Sequence, residues 1–193
     1  MSAVIRPYRA ADREAVRQLC ADTAERGAPT TFPDRELVAD LVTNYYLDQE
    51  PEHCWVAEDE DQVVGYLTGC LDSRRWRRAL WRIVPAALWR ALWRGTFCRQ
   101  FHLQPRSVAG TEVYREFPAH LHLNVATGYR GQGLGRQLLA RFERQVRDAG
   151  IIGIHANVRA DNEAGRNSFA RLGFSPMVPR KVVRGTVVYG KKI

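Results

Sequence analysis

A chain of 193 residues, 45% hydrophobic and 26% charged, has room for one globular domain with a sizeable core and is short for two. Its net charge of +8 is local: residues 73–110 hold nine arginines and no acid, and the rest is close to neutral, so the overall charge does not imply nucleic-acid binding. Cys20, Cys54, Cys70 and Cys98 are scattered without a C-x-x-C pair, which favours reduced thiols over disulfides or zinc. No apolar run could span a bilayer and the opening MSAVIRPYRAADRE lacks a leader-like apolar stretch, so a cytoplasmic location is expected.

Ala3–Tyr8 reads as a strand, followed by a helix capped by Asp12 and stopped by Gly27, with Val16, Leu19, Cys20 and Thr23 at helical spacing. Asp34 caps a second helix with Leu37, Val38, Leu41, Val42 and Tyr45 on one face. His53–Glu58 and Gln62–Leu71 form a hairpin around Asp59-Glu60-Asp61. Beyond an irregular segment at 72–110, Thr111–Glu116 reads as a strand. His120–Thr127 is another, with Leu121, Leu123 and Val125 on one side and His120, His122 and Asn124 on the other. A helix over about 133–149 carries Leu134, Leu138, Phe142 and Val146. Ile151–Val158 is a buried strand, residues 162–172 a short helix ended by Gly173, and Val182–Tyr189 a last hairpin around Arg184-Gly185. With no repeat or linker, the order describes a single α+β, or mixed α/β, domain over 1–193.

The chemistry is most legible in Arg130-Gly131-Gln132-Gly133-Leu134-Gly135-Arg136, between a strand and a helix. Glycines let successive N–H groups converge on an anion, the helix start adds its positive end, and the two arginines add full charges; a pyrophosphate suits such a nest. A Walker A loop would need Lys where Leu134 stands. A dinucleotide fingerprint would need Gly at Arg136 and an acid near Ile151.

Arg130-x-x-Gly133-x-Gly135 after a hydrophobic strand resembles the acyl-CoA pyrophosphate motif of the GNAT N-acetyltransferases. Ile5-Arg6-Pro7-Tyr8-Arg9-Ala10-Ala11-Asp12 resembles that family's first strand and helix start, and Val63-Val64-Gly65-Tyr66-Leu67 its third strand. Asn162-x-x-Gly165-x-x-x-Phe169-x-x-x-Gly173-Phe174 resembles its second conserved element. The resemblance implies a mixed, mostly antiparallel sheet flanked by helices, acetyl-CoA as cosubstrate, and transfer of acetyl to an amine, of a small molecule or a protein lysine. His120 and His122 share a strand face, but no third and fourth ligand suggests itself, so no metal is expected. A narrower likeness, Phe117-Pro118-Ala119-His120-Leu121-His122-Leu123, is to the acetyltransferase-like C-terminal domain of O-GlcNAcases and its bacterial relatives. It implies the alternative of a weak or inactive acetyl-CoA-binding module.

By the same resemblance the strands at 120–127 and 151–158 splay apart around the pantetheine arm. Leu123, Val125, residues 130–136, Asn162 and Phe169 then contact the cofactor. A bulge near Asn124–Ala126 would free the Val125 N–H for the thioester oxygen. An amine of pKa about 10.4 must lose a proton, roughly 4–5 kcal/mol if done in advance at pH 7. Glu116, His120 and His122 are the candidate bases, with Asp72 a further one. Phe169 stands where many relatives carry Tyr and cannot protonate a leaving thiolate; Tyr129 or solvent would substitute. Asn162 reads first as a helix cap.

Residues 73–99 hold Trp76, Trp81, Trp89 and Trp93 among the arginines, with Pro85 dividing two helical stretches and Leu80, Val84, Leu88 and Leu92 forming a stripe. A lid that shapes acceptor choice, or a homodimer contact, is the expected role. An anionic membrane surface and nucleic acid are the other partners such a segment suits.

Overall fold

The computed structural model describes residues 3–25, 27–31, 34–95, 112–177 and 185–193, and of Ala91 the backbone alone. Its strands are β1 (Val4–Pro7), β2 (Cys54–Asp59), β3 (Gln62–Cys70), β4 (Ala119–Val125), β5 (Gly153–Arg159), β6 (Ser175–Met177) and β7 (Thr186–Lys192). They form one sheet in the order β1-β2-β3-β4-β5-β7-β6, in which only β4 and β5 run parallel. The helices are α1 (Arg13–Thr23), α2 (Arg35–Val42), α3 (Asn44–Gln49), α4 (Ser73–Trp93), α5 (Val113–Glu116), α6 (Leu134–Asp148) and α7 (Glu163–Arg171).

The sheet separates two apolar layers. On one side Leu134, Leu138, Phe142 and Val146 of α6 meet Leu67, Leu121, Ile154 and Ala156. On the other, Val16 and Cys20 of α1 and Tyr45 and Tyr46 of α3 meet Val56, Tyr66 and Cys70. Gly69 makes the first layer possible, since a Cβ there would stand 2.2 Å from the Phe142 ring. The β2–β3 turn holds Glu60 and Asp61 at φ 46° and 62°, the left-handed pair that a tight hairpin requires.

Several local expectations change. Asp12 does not cap α1 with its side chain; its carboxylate accepts from the Arg9 N–H at 2.7 Å and pairs with Arg6. The second helix breaks at Thr43 into α2 and α3, and Asp34 caps α2 by accepting from the Leu37 N–H at 2.8 Å. Val113–Glu116 is a helical turn instead of a strand, because the i, i+1, i+4 spacing buries Val113, Tyr114 and Phe117 together; Thr111 lies outside the described residues. Pro85 does not divide α4. It sits on the exposed side, where its ring meets solvent, and packing on either side of it keeps the helix continuous although Pro85 cannot donate to the Trp81 carbonyl. Strand β7 pairs with β6 and β5; Val182–Arg184 of the expected hairpin, and residues 96–110, lie outside the described residues. Among the described residues no helix is long and apolar enough to cross a membrane.

Candidate active site

The site starts from a break in the sheet. β4 pairs with β5 only through Ala119↔Ile154 and His120↔His155, although both strands continue. The β3–β4 register is unbroken from Gly65↔Val125 to Cys70↔His120, and the Ala126 N–H continues it by bonding the Val64 carbonyl at 2.8 Å. Counting back by twos, Asn124, His122 and His120 turn their backbone groups toward β3. Val125, Leu123 and Leu121 turn theirs into the gap facing β5. The Val125 N–H is therefore presented by ordinary strand alternation and not by the expected bulge; the register shift is in the β2–β3 pairing, where Ala57↔Gly65 is followed by Glu58↔Val63 and Val64 of β3 is the extra residue.

At the far end of this edge lies the glycine segment. Gly131 and Gly133 hold φ of 80° and 82°, and a Cβ at either would meet nothing within 4 Å. The space over the segment is open, and the first N–H groups of α6 have no partner within the helix. Arg130 donates from Nε to the Val125 carbonyl at 3.0 Å and from Nη2 to the Gly27 carbonyl at 2.7 Å, tying the turn to the α1–α2 loop. Arg136 reaches the Arg171 carbonyl at 3.4 Å, and Gln132 closes the turn onto the Gly128 carbonyl at 3.1 Å. Both arginines rest on carbonyls and meet no carboxylate among the described residues, so their charge is available to an anion. Leu134 is buried and offers only its backbone, while Gly135 lies against Leu123.

The other side of β4 carries a histidine cluster. His120 is buried with both nitrogens engaged: Nε2 lies 2.7 Å from the Tyr46 hydroxyl and Nδ1 2.7 Å from Ser73 Oγ. Ser73 Oγ is also 2.6 Å from the Pro118 carbonyl, to which it must donate. It accordingly accepts from His120 Nδ1–H, and Nε2 accepts from Tyr46. Burial, with His155 and His122 adding to it, holds His120 well below its ordinary pKa. His155, whose ring stacks on Tyr114, bonds the Phe117 carbonyl at 2.8 Å and is pushed down to about 4 by burial. Half-buried His122 lies edge-on to Tyr46, is also pushed down to about 4 by burial, and has no hydrogen-bonding partner among the described residues. Of the three candidate bases, it alone combines a free lone pair with a place beside the gap.

The remaining candidates are drawn elsewhere. Glu116 is exposed and pairs with Lys192 at 3.0 Å, at the N-terminal end of β5, away from the gap. Asp72 caps α4 through the Arg74 N–H at 2.9 Å. Asn162 caps α7 through the Gly165 N–H at 2.9 Å. Phe169 packs edge-on against Phe174 and near Tyr189. Tyr129 donates to Asp59 at 2.9 Å, so its hydroxyl is directed toward the β2–β3 turn. Sequence reasoning missed Tyr46, Ser73 and His155. For His155 the signal was strand parity: it alternates with apolar Ile154, Ala156 and Val158, so it belongs to the polar side. Among the described residues no group of three or more His, Cys, Asp or Glu is placed to hold a metal ion.

The sequence profile of the acetyltransferase (GNAT) family matches residues 14–174. The chain belongs to the GNAT family. Its splayed parallel pair and glycine turn are thus those of a GNAT sheet. Over 69 residues the chain is 32% identical to Protein O-GlcNAcase of Rattus norvegicus, a stretch that is 35% of this chain and 8% of that protein. The Mus musculus protein matches equally, so the chain spans under a tenth of the length of these curated relatives. Among solved structures, SsHAT is similar with TM-score 0.77 at 26% identity, covering 100% of this chain and 98% of that one. PaiA N-acetyltransferase of Thermoplasma acidophilum, solved with coenzyme A, shares the fold with TM-score 0.64 at 13% identity, each chain covered to 100%. Both resemblances seen in the sequence, and the mixed, mostly antiparallel sheet they implied, are thereby borne out.

Proposed function

We propose that this chain binds acetyl-CoA and transfers its acetyl group to an amine, of a small molecule or a protein lysine. The observation that carries the reading is the unpaired β4 edge at Leu123 and Val125 leading into the open nest at 130–136. An extended arm bearing amides fits the first and a pyrophosphate the second, and coenzyme A has both. Family membership and the coenzyme A held by the PaiA neighbour support the same reading. Leu123 and Val125 would hold the arm by their backbone groups, and one of their N–H groups would face the carbonyl oxygen as charge grows on it. The amine nitrogen attacks the acetyl carbonyl carbon, the C–S bond breaks, and His122 takes the amine proton directly or through water. Phe169 offers no proton, so the thiolate would leave as such and be protonated by solvent; with a pKa near 8.5, that forgoes only about 2 kcal/mol.

Calorimetric titration with acetyl-CoA tests the reading, with Gly133→Glu as the control that fills the nest. Micromolar binding lost in the variant, followed by transfer to members of an amine panel, is expected; a folded wild type that does not bind would overturn it. A second reading, an acetyl-CoA-binding module without turnover, is favoured by one observation: neither Phe169 nor Tyr129 is placed to protonate a thiolate. Binding without transfer to any amine in the panel would select it.

A further inference from the structure

Helix α4 is docked by one side only. Trp76, Ala79 and Ile83 pack into the layer around Tyr46, with the Trp76 ring 4.9 Å from His120. Ala87 closes on Leu37 and Leu41 of α2, while Arg90 and Arg94 pair with Asp40 at 3.5 Å and Asp34 at 3.1 Å. The opposite side is unusual for a surface helix: Trp81 is 84% exposed, Trp89 60%, Leu92 51% and Trp93 76%. Interleaved with them are Arg74, Arg75, Arg78 and Arg82, exposed and without an acidic partner among the described residues. Burying three more indoles against the body of the protein would have been favourable by the usual apolar gain, yet the helix turns only Trp76 inward and leaves Trp81, Trp89 and Trp93 outward.

We propose that this outer side of α4 is a docking surface for an anionic lipid bilayer, with the helix lying in the plane of the interface. Four properties of the surface select that occupant. Tryptophan and arginine together match the headgroup boundary, where the indole body is buried and the guanidinium meets lipid phosphate. At 21 residues the helix is about 31 Å long, a rod that can lie flat on a surface. The unpaired cations oppose a second copy, because an isologous contact would set each cluster of arginines against its twin. Exposed Leu92 and Val84, with Pro85 between the tryptophans, add apolar area that a phosphodiester backbone would not repay. Binding would be peripheral and reversible, driven jointly by indole burial and by charge, and hence weakened by salt. None of this depends on acetyl transfer.

The test is co-sedimentation of the full chain with vesicles of phosphatidylcholine alone or with about 30% phosphatidylglycerol, at ionic strengths from about 0.05 to 0.5 M. Tryptophan emission is followed in parallel. Binding to the anionic vesicles with a blue shift is expected, falling with salt and absent with phosphatidylcholine alone. The variant Trp81→Ser/Trp89→Ser/Trp93→Ser should lose at least about ten-fold in affinity, since each indole supplies a large apolar contact. Arg75→Gln/Arg78→Gln/Arg82→Gln should lose the anionic preference. Because all six side chains are exposed, both variants should keep the wild-type circular dichroism and melting temperature. No binding to anionic vesicles at low salt, or binding unchanged by the tryptophan variant, would overturn the proposal. So would a duplex oligonucleotide that binds through these residues while vesicles do not, or a dimer in sedimentation velocity that the tryptophan variant dissolves without any vesicle binding.

Discussion

Two neighbouring histidines on one strand, two residues apart, have opposite fates. His120 is locked between hydroxyls, with Tyr46 donating to it and Ser73 accepting from it, so its lone pair is already spent. His122 lies beside the same Tyr46 without a hydrogen-bonding partner among the described residues, and it is the group proposed to receive the amine proton. Replacing Tyr46 by Phe should cost about 1–3 kcal/mol of stability in urea unfolding, because it leaves a buried imidazole nitrogen unbonded. It should leave acetyl-CoA affinity unchanged. His122→Ala should do the converse, lowering kcat by about a hundred-fold or more in amine acetylation while the melting temperature moves little. Sequence spacing showed that these two side chains share a side of the strand. It could not show which would be satisfied, because Tyr46 and Ser73 are 74 and 47 residues away from His120.

Elements were legible where a local period or a turn residue fixes them. The α6 stripe at Leu134, Leu138, Phe142 and Val146 is buried as its spacing requires, and the Asp34 and Asn162 caps and the Gly173 stop all form. Gly27 does not stop α1, which ends at Thr23; its φ of 84° serves the turn that closes the Glu25↔Ala28 bridge. The sequence misled where tertiary packing overrode local preference. Within the β-rich TEVYRE, Val113–Glu116 became a turn of helix because Val113, Tyr114 and Phe117 could be buried together and Tyr114 could stack on His155, and Pro85 was absorbed because both halves of α4 are held down. The cleft was legible only through a family likeness, since the splay follows from where β5 stops pairing with β4. The contact between α6 and the sheet gives a sharp test at this scale. Gly69→Ala would drive a methyl into the Phe142 ring, so a loss of about 1–3 kcal/mol is expected by chemical denaturation. Phe142→Leu in the same chain should recover part of it.

For the whole molecule, the buried histidines set an acid limit. In the unfolded chain each titrates near 6.5, whereas in the fold His155 is pushed down to about 4 and His120 well below its ordinary value. Below pH 6.5 the unfolded state therefore binds protons that the folded state refuses. Stability is full above that pH and drains away as pH falls toward 4. His155 alone accounts for on the order of 3 kcal/mol of that loss, a large part of the 5–15 kcal/mol typical of a folded domain. Thermal melts between pH 7.5 and about 4.5 should show a steep fall, flattened in His155→Gln; a flat wild-type profile would contradict the burial described for this cluster.

The short β4–β5 seam has a further consequence, for how the protein avoids its own kind. Beyond the His120↔His155 pair the sheet carries an interior edge, at Leu123 and Val125, that has no strand partner among the described residues and would accept any extended chain, including that of another unfolding molecule. Arg130 lies across its open end, bonded to the Val125 carbonyl, and puts a charge where an intruding strand would begin to zip. A residue first noticed for its suitability to phosphate thus also stands where a gatekeeper charge belongs, at the open end of an edge of the kind that can template aggregation.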